Sequence, residues 1–222
     1  IGSAGSGATA SSAPLVTATS VRALMTRTLP LREFLTRTRK LRRGATVRLD
    51  ALLTLWAESG YEPVSVVLEP GQFSRRGGIV DIFPVAAEAP ARLELFGDEI
   101  DTLRRFEPAT QRSGEPIETL TVTPAREGLA STPGAGVPAE FQIAERFAAA
   151  TLLDYLTPDA LVLLDGEIEL GETADELIEH AEEQRSFQLE AGTILPTTPP
   201  PYVTWDELDE ALSSRQVISL GA

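Results

Sequence analysis

The sequence predicts an α/β protein: a partial α/β domain with an antiparallel β module inserted into it. Apolar residues follow a helical spacing up to about Tyr61, alternate from there to about Val122, and return to mixed helix and strand patterns after Pro124. Glycine turns punctuate the middle block. Charge shifts at the same places. Residues 1–60 hold nine Lys and Arg against three Asp and Glu, a surplus of +6; residues 61–127 carry −5 and residues 128–222 carry −15. An order of α/β, then β, then α/β is that of a β insert between two segments of one layered domain. The expected divisions are therefore 1–60, an incomplete first segment; 61–127, the insert; and 128–222, the second segment.

Ile1 to Ser12 is rich in Gly, Ala and Ser and reads as a loop. A short apolar run, Pro14 to Ala18, precedes a helix around Val21 to Arg27. Arg37 to Val47 mixes basic and β-branched residues, as strands do. Asp50 is placed to cap a helix with an apolar side of Leu52, Leu55 and Trp56, and Gly60 stops it. Val64, Val66 and Val67 open the β block. Gly77-Gly78 and Gly97-Asp98 then separate two pairs of strands, since tight hairpin turns need the positive φ that glycine tolerates. Gly77-Gly78 is equally compatible with a bulge in one long strand. Ile117 to Val122 supplies a further strand. Beyond a loop at 130–138, Ala139 to Leu156 and Thr173 to Leu189 read as helices around a fully apolar, buried strand, Leu161 to Leu164. Thr204-Trp205-Asp206-Glu207 has capping-box spacing for a helix through Leu212, and Val217 to Leu220 is a closing strand.

Several function classes find little support. The chain has no cysteine and a single histidine, His180, so thiolate chemistry and a multi-histidine metal site are excluded. His180 sits among Glu179, Glu182 and Glu183 and reads as a surface residue. Gly2-Ser-Ala-Gly-Ser-Gly-Ala-Thr9 imitates a phosphate-binding loop, but Ala8 stands where the lysine is needed and no strand precedes it. No cofactor and no catalytic residue is expected. No apolar run approaches the ~20 residues of a membrane span, and the start lacks the basic and apolar regions of a signal peptide. Those features, with the missing cysteines, fit a cytoplasmic protein. A net charge of −14 disfavours general nucleic-acid binding. Only the run Arg37, Arg39, Lys40, Arg42, Arg43 offers concentrated cations, and it reads as a solvated strand face or a partner for the acidic C-terminal third.

The stretch Pro70-Gly-Gln-Phe-Ser-Arg-Arg-Gly-Gly-Ile-Val-Asp-Ile-Phe-Pro84 is the most informative, followed by Ala91-Arg-Leu-Glu-Leu-Phe-Gly-Asp-Glu-Ile100 and Arg105-Phe-Glu-Pro-Ala-Thr-Gln-Arg-Ser113. Together they resemble the second domain of the bacterial excision-repair protein UvrB and its counterpart in the transcription-repair coupling factors. The Pro-Gly-Gln-Phe start and the Thr-Gln-Arg-Ser end resemble the coupling factors in particular. Val16 to Phe34 and Leu152 to Leu220 resemble their flanking segments more weakly. Lacking the start of the first segment, a polymerase-binding module and a motor, the chain looks like a fragment of such a protein.

Strand alternation independently marks a surface within this stretch. In Arg92-Leu-Glu-Leu-Phe96, Leu93 and Leu95 share one face and Arg92, Glu94 and Phe96 the other. With the leucines in the core, an aromatic and an arginine point outward, a composition common at interface hot spots. Composition alone leaves a second possibility: Phe96 tucks over a sheet edge, and Arg92 pairs with Glu94 or another nearby acid. The resemblance implies that this face docks UvrA, the damage-recognition ATPase of the excinuclease, through Arg76, Arg92 and Phe96. Asp81, Asp98, Glu99, Arg104, Arg105 and Arg112 read mostly as structural, with Arg112 tying its segment to nearby acids. The resemblance further implies an ATP-dependent DNA translocase as parent, in contact with RNA polymerase and DNA only through parts not in this chain. The rival reading is a DNA-handling fragment of UvrB working through Arg37 to Arg43.

Overall fold

The computed structural model describes residues 16–127, 139–146 and 150–221. The phosphate-loop imitation at Gly2 to Thr9 lies outside them.

Two short helices, α1 (Val21–Met25) and α2 (Leu31–Arg37), lead into strand β1 (Arg39–Arg42) and helix α3 (Leu49–Glu58). The sequence pattern does not announce α2, which is short and has no buried residue. Arg48, not Asp50, occupies the position before the first turn of α3 and provides no side-chain cap; Asp50 instead pairs with Arg75 across 2.7 Å. The helix turns Leu52 and Trp56 inward, with Leu49 and Leu53 beside them, whereas Leu55 lies off this stripe. Gly60, at φ +90°, carries the chain out of the helix.

Strands β2 (Glu62–Pro63), β3 (Gln72–Arg76), β4 (Ile79–Ile82), β5 (Ala91–Phe96), β6 (Glu99–Phe106) and β7 (Ser113–Pro116) form one six-stranded sheet in sequence order. All neighbours are antiparallel except β2 and β3. Arg76 faces Ile79 and Phe96 faces Glu99, so Gly77-Gly78 and Gly97-Asp98 are both two-residue hairpin turns. The bulge reading of Gly77-Gly78 is thereby ruled out; Gly77 and Gly97 take φ of +64° and +62°. β7 has no counterpart in the sequence pattern because all four of its residues are exposed and show no alternation.

One face of this sheet carries Phe73, Ile82, Val80, Leu93 and Leu103, which pack with Leu52, Trp56 and Tyr61 into the largest core. Strand β8 (Thr119–Val122) pairs antiparallel with β1, and its Leu120 and Val122 close the same core with Leu41. Residues on both sides of position 60 thus share one core, as burial of the inward face of α3 requires.

The remaining elements build a second core. Helix α4 (Ala139–Arg146) is followed by a separate 3₁₀ turn over Leu152–Tyr155, opened by a reciprocal cap between Thr151 and Asp154. The continuous helix expected over Ala139 to Leu156 is therefore not formed, because Thr151 is extended. Strand β9 (Leu161–Asp165) pairs in parallel with β10 (Gln216–Leu220), and between them in sequence lie α5 (Glu167–Glu190) and α6 (Trp205–Ser213). α6 begins on the expected capping box, Thr204 with Glu207. Val21 and Met25 pack with Leu164, Ala174, Ala181, Leu208 and Leu212, so the two flanking segments share a core across the insert. The main-chain bonds Val203 N–H to Met25 O and Arg27 N–H to Pro201 O reinforce that closure.

β9 departs from its expected burial. Leu164 is buried, but Leu161 and Leu163 are exposed, together with Ile218 and Leu220 on β10. This two-stranded sheet is covered on one face only, where Leu164, Val162 and Val217 meet the helices. His180 lies on the exposed face of α5, near Glu183. No helix among the described residues is long and apolar enough to cross a membrane.

Candidate protein-docking site

The second face of the six-stranded sheet carries the side chains singled out by sequence. Register places Ser74, Asp81, Arg92 and Arg104 in one row across β3 to β6, and Arg76, Ile79, Glu94 and Thr102 in the next. Phe96 lies two residues beyond Glu94, toward the hairpin turns. Both turns fall at the same end of the sheet, joined where Leu95 N–H donates to Gly78 O at 2.8 Å. A Cβ on Gly78 would stand 3.0 Å from Leu95 O, so a glycine here permits the close approach of the two backbones. The register shifts between Glu94 and Leu95, where Asp101 of β6 is the extra, unpaired residue.

The open end of the face holds Phe96, 85% exposed, and Ile79, partly exposed. Arg76 completes the patch, its side chain 51% exposed. Phe96 does not tuck over the sheet edge. Ile79 is absent from the residues singled out by sequence, although two-residue periodicity from Asp81 assigns it to this face.

Arg92 behaves differently from its expected role. Its side chain is only 13% exposed and is heavily engaged within the molecule. Nε and Nη2 donate to Asp81 Oδ1 and Oδ2 at 2.7 and 2.9 Å, and Nη1 donates to Gln111 O and Ser113 Oγ. The guanidinium lies over the Phe106 ring, 4.9 Å from its centroid. Hydrogen bonding to Asp81 raises its pKa above the ordinary arginine value. The acid that Arg92 pairs with is thus Asp81, not Glu94, because the two face each other directly in register. Asp81 is 1% exposed and also accepts from Arg76 Nη2 at 2.7 Å.

Next to this cluster the chain folds over the sheet. Gln111, at φ +57°, donates from Nε2 to Val67 O and Pro108 O, while Val67 packs with Phe83 and Phe106. The tie expected of Arg112 is made instead by Arg92 and Gln111; Arg112 is exposed and forms no ion pair with a described residue. Asp98 shapes its turn, its carbonyl accepting from Val47 N–H. Arg104 reaches Gly114 O.

The basic run makes no ion pair with the acidic C-terminal third among the described residues. β1 pairs with β8, Arg39 donates to Thr36 O and Thr38 O, and Arg43 donates to Asp101 O. Lys40 and Arg42 face solvent. No group of three or more metal-ligating side chains occurs among the described residues.

The sheet is thus buried on one face and displays an aromatic and a cation on the other, the composition of a protein-interaction surface. Residues 40–127 match the family described as UvrB interaction domain. The chain is 43% identical over 84 residues to the transcription-repair-coupling factor of Bacillus subtilis (strain 168), covering 38% of this chain and 7% of that protein. It is 40% identical over 87 residues to that of Escherichia coli (strain K12), covering 39% of this chain and 8% of that protein. For Staphylococcus aureus (strain bovine RF122 / ET3-1) the identity is 46% over 87 residues, 39% of this chain and 7% of the relative. Residues 40–127 are therefore similar to the UvrB interaction domain and to a stretch of transcription-repair-coupling factors, and the matched stretch spans less than a tenth of those relatives' length.

Proposed function

We propose that this chain is the recruitment region of a transcription-repair-coupling factor, and that the open end of its sheet docks UvrA. The observation that carries this reading is Phe96, 85% exposed on the same sheet face as Arg76, within residues that match the UvrB interaction domain. An isolated, exposed aromatic gains little by staying in water, and on docking it becomes a buried anchor next to a charge able to select an acidic rim. The docking residues under this reading are Arg76, Arg92 and Phe96, with Ile79 extending the apolar surface. The module comprises 61–127 together with the β1 and α3 residues that share its core, and residues 1–60 and 128–222 supply the α/β segments around it.

This region makes and breaks no bond. Motor activity, and contact with polymerase and DNA, belong to other parts of a parent translocase in the cytoplasm. The exposed cations of Arg37 to Arg43 do not favour the rival DNA-handling reading, because β1 itself carries no aromatic on which a base stacks. Calorimetry tests both halves of the proposal: UvrA gives a saturable heat with this chain, and ATP gives none. Stoichiometric ATP binding, or no complex with UvrA, overturns it.

A further inference from the structure

The three residues assigned to docking are not equivalent in the structure. Phe96 is free, Arg76 is half out, and Arg92 lies along the sheet with both ends of its guanidinium committed. Four of its five N–H groups already have acceptors in Asp81, Gln111 and Ser113, which leaves at most one for a partner. Asp81 stands at the centre. Its Oδ2 accepts from both arginines, at 2.7 Å from Arg76 Nη2 and 2.9 Å from Arg92 Nη2, while Oδ1 holds Arg92 Nε.

We propose that Asp81 is the positioning residue of the docking surface: it fixes the Arg76 guanidinium on the sheet face that also displays Phe96, and Arg92 supports binding by holding Asp81 rather than by touching the partner. This role rests on the docking reading above and deepens it. Arg76 sits next to a two-residue turn at the end of β3, where a long side chain otherwise samples many rotamers. One hydrogen bond to an immobile carboxylate removes much of that freedom before the partner arrives, and its remaining donors stay available. The carboxylate is immobile because Arg92 grips it through two parallel N–H to O bonds, is itself stacked on Phe106, and is tied to the backbone of Gln111. Removing Arg92 thus loosens Arg76 without removing any contact that Arg92 makes outward.

The test is a set of double-mutant cycles read as affinity for UvrA, with melting curves for every variant. Arg76→Ala and Arg92→Gln each weaken binding by about tenfold. If Asp81 positions Arg76, Arg76→Ala in the Asp81→Asn background costs less than about threefold further, and so does Arg92→Gln, because residues acting as one unit are not additive. Should Asp81→Asn melt too early, the Asp81→Asn/Arg92→Gln pair removes both buried charges together and serves as the background for Arg76→Ala. Phe96→Ala keeps its full effect in all backgrounds. Multiplicative losses for Arg76 and Asp81, with Phe96→Ala still harmful, overturn the positioning role and leave the docking reading standing. Normal binding by Phe96→Ala in a folded protein overturns the docking reading itself.

Discussion

Leu93 and Phe96 stand three residues apart on one strand and have opposite fates, which period-two geometry dictates. Leu93 is 1% exposed in the core under α3, and Phe96 meets solvent. Leu93→Ala leaves a cavity and is expected to lower unfolding stability by about 2–5 kcal/mol, measured by denaturant titration. Affinity for UvrA should be unchanged at temperatures where that variant remains folded. The outward face of β5 is legible in the sequence because alternation alone assigns it. The engagement of Arg92 is not, because it depends on the register between β4 and β5, and a single sequence does not state register. Asp81 reads as structural from its motif, but its two arginine partners become visible only with the fold. The hairpin turn brings Arg76 to it from β3, and strand pairing brings Arg92 from β5.

At the scale of elements, strong local signals are readable and weak ones are not. The two hairpin turns and the capping box at Thr204 each involve chemistry confined to about four residues, and all three form where expected. α2 and β7 bury no side chain, so no periodicity announces them. Leu161 to Leu164 misleads for the opposite reason: an apolar run does not say whether one face or two are covered, and here one is. The exit from α3 gives a direct test of close packing. Gly60 has φ +90°, and a Cβ there would stand 2.8 Å from Arg126 Cβ and Cγ, in the segment whose Ala125 and Arg126 N–H groups donate to Ser59 O. Gly60→Ala is therefore expected to cost about 1–3 kcal/mol in thermal or denaturant unfolding, from backbone strain together with displacement of that segment. A neutral effect contradicts the packing described.

The described residues form two large cores, with a small third cluster of Val67, Phe83 and Phe106, and the chain crosses between the two large ones twice. The first crossing runs from α1 through α2 to β1; the second leaves β8 along Ala125 to Glu127, where Glu127 accepts from Thr28 Oγ1 at 2.5 Å. Charge follows the same division, with the acidic surplus concentrated in residues 128–222 and Arg76 and Arg92 on the insert. Periodicity reveals the insert but sets its first boundary at Tyr61, where helical spacing ends, whereas α3 and β1 share their core with the sheet. The proposed recruitment of UvrA rests above all on Phe96 as its anchor. Titrating UvrA into the chain and into Phe96→Ala, with melting curves alongside, tests that anchor most directly. Phe96→Ala is predicted to melt like the unaltered protein and to bind more weakly by about 2 kcal/mol or more. Equal affinities for the two folded proteins would contradict it.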